Sequence, residues 1–171
     1  MKSGDWLFGV VLLLALLLRR RSPHLRAELV LGLGFGVLWE VLFSDFWSYD
    51  THRFGVFAGL DIPVAILAGW SALFLSGMAA AEYLGHLAGK YTDRLGAWSQ
   101  VVWDTIAFTV LGVALETLGI QLHLWRYEPG LAWDILPGLA ISVFAAFAYA
   151  SIGIFIPTAL RHWRSRLPAG R

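Results

Sequence analysis

Along this chain the apolar positions gather into five blocks separated by short polar segments. The cleanest block runs from Ile62 to Ala81, twenty residues without a charge. At about 1.5 Å per residue a helix of that length crosses a hydrocarbon core of roughly 30 Å. A second uncharged block, Ile135 to Ala159, predicts another spanning helix. Leu29 to Trp47 and Val101 to Ile120 are also long enough, but each carries two acids: Glu40 and Asp45 in the first, Asp104 and Glu116 in the second. The leading block, Trp6 to Leu18, has only thirteen residues, the length of a signal-peptide core. Arg19-Arg20-Arg21 follow it where small cleavage-site residues would stand, so it reads as a retained, short first helix. The pattern predicts an all-α polytopic membrane bundle of about five transmembrane helices, forming a single integral membrane domain over residues 1–171.

Composition agrees with that picture. The AVILMFWYC set makes up 58% of the residues and charged side chains only 15%, against about 25% charge in a soluble domain. Mean hydropathy is +0.65. The net charge of +1 leaves no basic surplus for nucleic-acid binding. Because there is no cysteine, disulfides, thiolate metal sites and thiol nucleophiles are excluded. No H-E-x-x-H, G-x-S-x-G or P-loop pattern occurs, and no cofactor or metal is expected.

Lysine and arginine predict the orientation, since cytoplasmic loops retain positive charge. With the N-terminus outside, ten basic residues lie on the inner side, from Arg19 through Lys90 and Arg94 to Arg171, and three, Lys2, Arg53 and Arg126, on the outer. The expected location is the inner cell membrane, with the C-terminus cytoplasmic. Trp6, Trp47, Trp125 and Trp133 then lie near the outer boundary and Trp98, Trp103 and Trp163 near the inner one, as interfacial aromatic rings do.

The chain also repeats itself. Gly36-Val-Leu-Trp-Glu40 leads to Trp47-Ser-Tyr49 and then Asp61-Ile-Pro63; Gly112-Val-Ala-Leu-Glu116 leads to Trp125-Arg-Tyr127 and then Asp134-Ile-Leu-Pro137. The two halves, about 28–88 and 98–160, read as parallel hairpin repeats related by an axis along the membrane normal, with a first helix over about 5–19 outside them. Gly32 and Gly36 share one side of their helix with Glu40 and suit close helix packing. The Trp-x-Tyr segments read as interfacial loop anchors, and Pro63 and Pro137 as first-turn prolines. Asp61 and Asp134 stand at or just before that turn, where they either cap it or serve a site. Glu40 and Glu116 precede the tryptophans by seven and nine residues, which sets them roughly 10 Å into the apolar layer, where a charge is costly. They are either functional acids or polar bridges between helices. Glu82 and His86, four residues apart, read as an inner-interface polar face rather than a metal site, and Asp104 as a cap or an ion-pair partner near that boundary.

A helix acid, a W-x-Y loop and a Pro-opened helix together resemble the repeat of membrane-embedded carotenoid enzymes, the heterodimer-type lycopene cyclases and carotenoid hydratase relatives. The likeness covers about Leu31 to Ser76 and Val110 to Ile152. In those cyclases the proline is followed by a pair of glutamates; here Val64-Ala65 and Gly138-Leu139 follow it. The resemblance carries over Glu40 and Glu116 as the helix acids.

Two classes of function stay open on the sequence. One is a cofactor-free isoprenoid-modifying enzyme, a cyclase, isomerase or hydratase. Desolvation disfavours the charged form of a carboxylic acid, so a buried acid can keep its proton and donate it to an alkene. Glu40 and Glu116 would donate, Asp61 or Asp134 would accept a proton or orient water, and Trp39, Trp47, Tyr49, Trp125 and Tyr127 would bind the substrate and stabilise a carbocation. The other is a non-catalytic membrane subunit or lipid-binding scaffold, with the small-residue stripe Gly138, Ser142, Ala146 and Ala150 meeting partner subunits. Membrane lipids are expected partners on either reading. Proton-coupled transport has less support, because no chain of acids runs to the inner face.

Overall fold

The computed structural model describes residues 5–50, 55–60, 62–89, 96–128 and 141–166. Its helices are α1 (Asp5–Arg19), α2 (Leu25–Phe43), α3 (Val64–Gly89), α4 (Gly96–Gln121) and α5 (Val143–Arg166). Four apolar stretches, Leu25–Phe46, Val64–Gly89, Trp98–Gln121 and Val143–His162, are long and apolar enough to cross a membrane, so the chain has the build of a multipass membrane protein. Helix α1, at fifteen residues, is shorter than the roughly 20 that a span takes.

Burial differs from that of a water-soluble bundle in its apolar surface and its buried charges. Large apolar side chains such as Leu18, Leu42, Phe147 and Phe155 are exposed, while Arg19, Glu28, Glu40, Asp104 and Glu116 are buried. Helix α3 is the centre: α1, α2 and α4 each pack on it, and α5 packs on α4. Its Phe74, Leu75 and Met78 are almost fully buried. Small residues allow the close approaches. A Cβ at Gly77 of α3 would collide with the Phe108 ring of α4, and one at Gly153 of α5 with the α4 backbone at Asp104 and Thr105.

The two Trp-x-Tyr segments are strands rather than separate loop anchors. β1 (Trp47–Tyr49) and β2 (Trp125–Tyr127) pair antiparallel, with Trp47 opposite Tyr127, Ser48 opposite Arg126 and Tyr49 opposite Trp125. The ladder is extended by the Asp50 N–H donating to the Leu124 carbonyl (2.8 Å) and the Glu128 N–H donating to the Phe46 carbonyl (2.9 Å). Strand alternation puts the four aromatic residues on one face and Ser48 with Arg126 on the other. The Arg126 Nε donates to Ser48 Oγ at 3.1 Å. Three residues of alternation are too few to announce a strand, and each strand finds its partner far along the chain.

Element for element, α2, β1 and α3 are matched by α4, β2 and α5. The final helix departs from the sequence reading. It begins at Val143, with Ile141 and Ser142 non-helical before it; the start read at Ile135 lies outside the described residues. Ile62-Pro63-Val64 at the start of α3 therefore corresponds to Ile141-Ser142-Val143 at the start of α5. Proline fits a first turn because its missing N–H is not needed there. Ser142 fits the same place by capping: its Oγ accepts from the Ala145 N–H at 3.1 Å. Of the stripe read on this helix, Ser142 thus lies before the helix, and Gly138, like Asp134 and Pro137, lies outside the described residues. Helix α2 likewise ends at Phe43, and a 3-10 turn (Ser44–Phe46) carries the chain into β1.

Candidate functional site

Glu40 stands in the last turn of α2 and is 2% exposed. Three aromatic side chains donate to it. Trp47 Nε1 (3.0 Å) and Tyr49 Oη bond its Oε2, and Trp70 Nε1 of α3 bonds its Oε1 (2.6 Å). The strand supplies two donors because Trp47 and Tyr49 fall on the same face, two residues apart.

Glu116 of α4 is held in the same way. Trp125 Nε1 (3.2 Å) and Tyr127 Oη (2.9 Å) donate to its Oε1, and Tyr149 Oη of α5 donates to its Oε2 (2.9 Å). Trp70 and Tyr149 each stand six residues beyond the first residue of their helix, so one position on α3 and α5 supplies the third donor in both halves. The six donors satisfy both carboxyl groups, as buried acceptors require. The phenols on the strands feel the burial and the neighbouring acids: Tyr49 and Tyr127 are both pushed above the ordinary phenol range, first by burial and then by Glu40 and Glu116 respectively.

Glu40 and Glu116 line one cavity of about 70 Å³. Its walls are largely aromatic, from Trp39, Trp47, Trp70, Trp125 and Phe144, and no basic side chain is among its described lining residues. Phe8 of α1 reaches in from the side, over Gly69 of α3 and 5.9 Å from the Trp125 ring. The arrangement offers two carboxyl groups, aromatic faces and no metal-binding set. Among the described residues, no three His, Asp or Glu side chains stand together.

Twelve residues before each of these acids, about 18 Å away along the helix, lies a second buried acid. Glu28 receives the Arg19 guanidinium in two bonds, Nε to Oε2 (2.9 Å) and Nη2 to Oε1 (2.5 Å), and Arg19 also pairs with Glu82 of α3. Asp104 receives both terminal nitrogens of Arg161 on α5, with Nη2 to Oδ1 at 2.5 Å. Glu82 and Arg161 occupy corresponding places on α3 and α5. Where α5 brings its own cation, α3 carries an acid, and α1 supplies the arginine. This end therefore consists of structural ion pairs, and Asp104 is an ion-pair partner.

Of the residues singled out in the sequence, Glu40, Glu116, Trp39, Trp47, Tyr49 and Trp125 line the cavity. Tyr127 bonds Glu116 from β2, and Asp61 and Asp134 lie outside the described residues. Sequence reasoning passed over Trp70, Tyr149 and Phe144. A tryptophan and a tyrosine inside apolar spans each have a polar tip that needs a partner, and that was the available signal for the first two. No family model, no curated protein and no solved structure matches this chain.

Proposed function

We propose that this protein is a membrane-embedded, cofactor-free enzyme that modifies an isoprenoid-like chain by protonating a carbon–carbon double bond. The observation that carries this reading is the cavity with its two carboxyl groups, aromatic walls and no basic lining residue. In such a site a glutamic acid O–H transfers its proton to an alkene carbon. A C–H bond forms, the π bond is consumed, and a carbocation and a carboxylate remain. The rings of Trp39, Trp70 and Trp125 offer their faces to the cation. Loss of a neighbouring proton to a carboxylate restores the acid and leaves an isomerised or cyclised alkene, so no other reactant is used. The same carboxyl group therefore ends the cycle protonated, as it began.

A second reading is a non-catalytic lipid-binding scaffold or membrane subunit. It is favoured by the complete hydrogen bonding of both carboxyl groups, which is what polar bridges between helices need. The deciding experiment is conversion of acyclic polyenes in membranes of a carotenoid-producing host, resolved by chromatography. Wild-type protein should yield a new product. Glu40→Gln and Glu116→Gln should insert and fold normally; one should abolish the product and the other reduce it. No product from wild type, with both variants only less heat-stable, selects the scaffold.

A further inference from the structure

The matched halves make one comparison available that bears on how a ligand reaches the acids. If α2 corresponds to α4 and α3 to α5, the seam between α3 and α4 corresponds to the seam between α5 and α2. The first is closed: α3 and α4 pack closely. The positions of this half that correspond to the other seam are Ala65, Leu115, Gly119 and Leu124, of which Ala65 and Leu124 are buried in the core and Leu115 packs against that core. Helices α2 and α5 are not among the closely packed pairs.

The residues at the corresponding places explain the difference. Ala65 becomes Phe144, Leu115 becomes Trp39, Gly119 becomes Phe43 and Leu124 becomes Phe46. These four rings meet across the seam. The Phe144 centroid is 6.4 Å from Trp39, 5.7 Å from Phe43 and 5.2 Å from Phe46. All four are half-buried. Two of them, Trp39 and Phe144, also line the cavity that holds Glu40 and Glu116, so seam and cavity are continuous. The side of α3 is covered by α1, while Phe147 and Phe155 on α5 stay exposed.

We infer that the aromatic seam between α2 and α5 is the binding groove for an extended isoprenoid chain, whose terminal double bond enters the cavity between Glu40 and Glu116. This rests on the enzyme reading above and adds where the substrate lies. The cavity alone is too small for a long chain: a single water needs roughly 10–15 Å³ of such space, and about 70 Å³ holds only an end group. The remainder needs a neighbouring apolar path, and the four rings supply it. Flat, unsaturated chains pack on ring faces, and the ring side chains offer no charge to a neutral ligand.

The test is photolabelling of the full chain in phosphatidylcholine vesicles with diazirine-tagged geranylgeraniol, mapped by mass spectrometry. Labels should fall on the segments carrying Trp39 to Phe46 and Phe144 to Tyr149. Untagged geranylgeraniol should compete them away, and excess phosphatidylcholine should not. Replacing the four rings by their counterparts, Trp39→Leu, Phe43→Gly, Phe46→Leu and Phe144→Ala, should remove the ring faces that hold the chain and abolish labelling. If that variant does not fold, the wild-type map and its competition decide. Labels spread over α1 or the outer faces of α3 and α4, equal competition by phosphatidylcholine, or a folded four-residue variant that labels like wild type would each overturn the groove. Seam labelling by a protein that converts no polyene rejects the enzyme reading and keeps the groove.

Discussion

Gly36 lies directly under the Trp70 ring: a Cβ added at Gly36 would come within 2.6 Å of the Trp70 Cβ and 2.7 Å of its Cγ. Gly112 lies under Tyr149 in the same manner. Each glycine is one helical turn before the glutamate that its covering ring bonds, so the Gly-x3-Glu motif sets both the acid and the room for its donor.

Alanine at either glycine should push the ring away and loosen the bond to Glu40 or Glu116, at a cost of about 1–3 kcal/mol for overpacking. Gly34→Ala is the control, since a Cβ there meets nothing within 4 Å; it should be neutral or mildly stabilising, as alanine is the better helix former. Thermal unfolding in detergent checks this, and equal behaviour of Gly34→Ala and Gly36→Ala would refute it.

Much of this was legible in the chain because membrane helices announce themselves by length. The acids were visible for a related reason: Glu40 and Glu116 interrupt apolar runs where a charge is expensive. The strand pair was not legible, since three-residue strands carry no periodic signal and their register comes from the helices that hold them. The repeat was anchored on Pro63 and Pro137, yet Ser142 stands where Pro63 does, because a serine cap and a proline serve the same first turn by different chemistry. Arg19 reads as one of three loop arginines, but it is 7% exposed, and its partner Glu28, just before the second apolar block, is fully buried. Only the packing of α1 on α3 brings it to Glu82.

The ion pairs at the far end should carry stability and not turnover. Asp104 has 0% side-chain exposure and Arg161 31%, so Arg161→Met strands a buried carboxylate and should cost about 3–5 kcal/mol. Asp104→Leu in the same protein should recover most of that loss. Arg19→Met should behave similarly through Glu28, whereas Glu82→Gln, at a side chain 47% exposed, should cost under about 1 kcal/mol. Melting curves of the single and double variants decide; an unrescued double variant contradicts the assignment.

Ten basic residues against three fix an expected topology with the N-terminus outside. A reporter that works only in the cytoplasm should be active when fused after Arg171. If it is silent there while an export-dependent reporter is active, the orientation is reversed.

The strand phenols predict a pH dependence of stability. Tyr49 and Tyr127 have folded-state values raised above the ordinary phenol value of about 10, by burial first and then by Glu40 and Glu116. A raised phenol holds its proton in the folded state after the unfolded chain has lost it. Its contribution is therefore complete below about pH 10 and is lost progressively above it, as the unfolded state is the one relieved by ionisation. The melting temperature should be level up to about pH 9.5 and then fall. Tyr127→Phe should flatten that fall, because the replaced ring has no proton to lose, although it lowers the midpoint at every pH by removing a donor to Glu116. A wild-type midpoint that does not decline at high pH, or phenolate absorbance from all five tyrosines near the ordinary value in folded protein, would show that the strand phenols are not buried beside the acids.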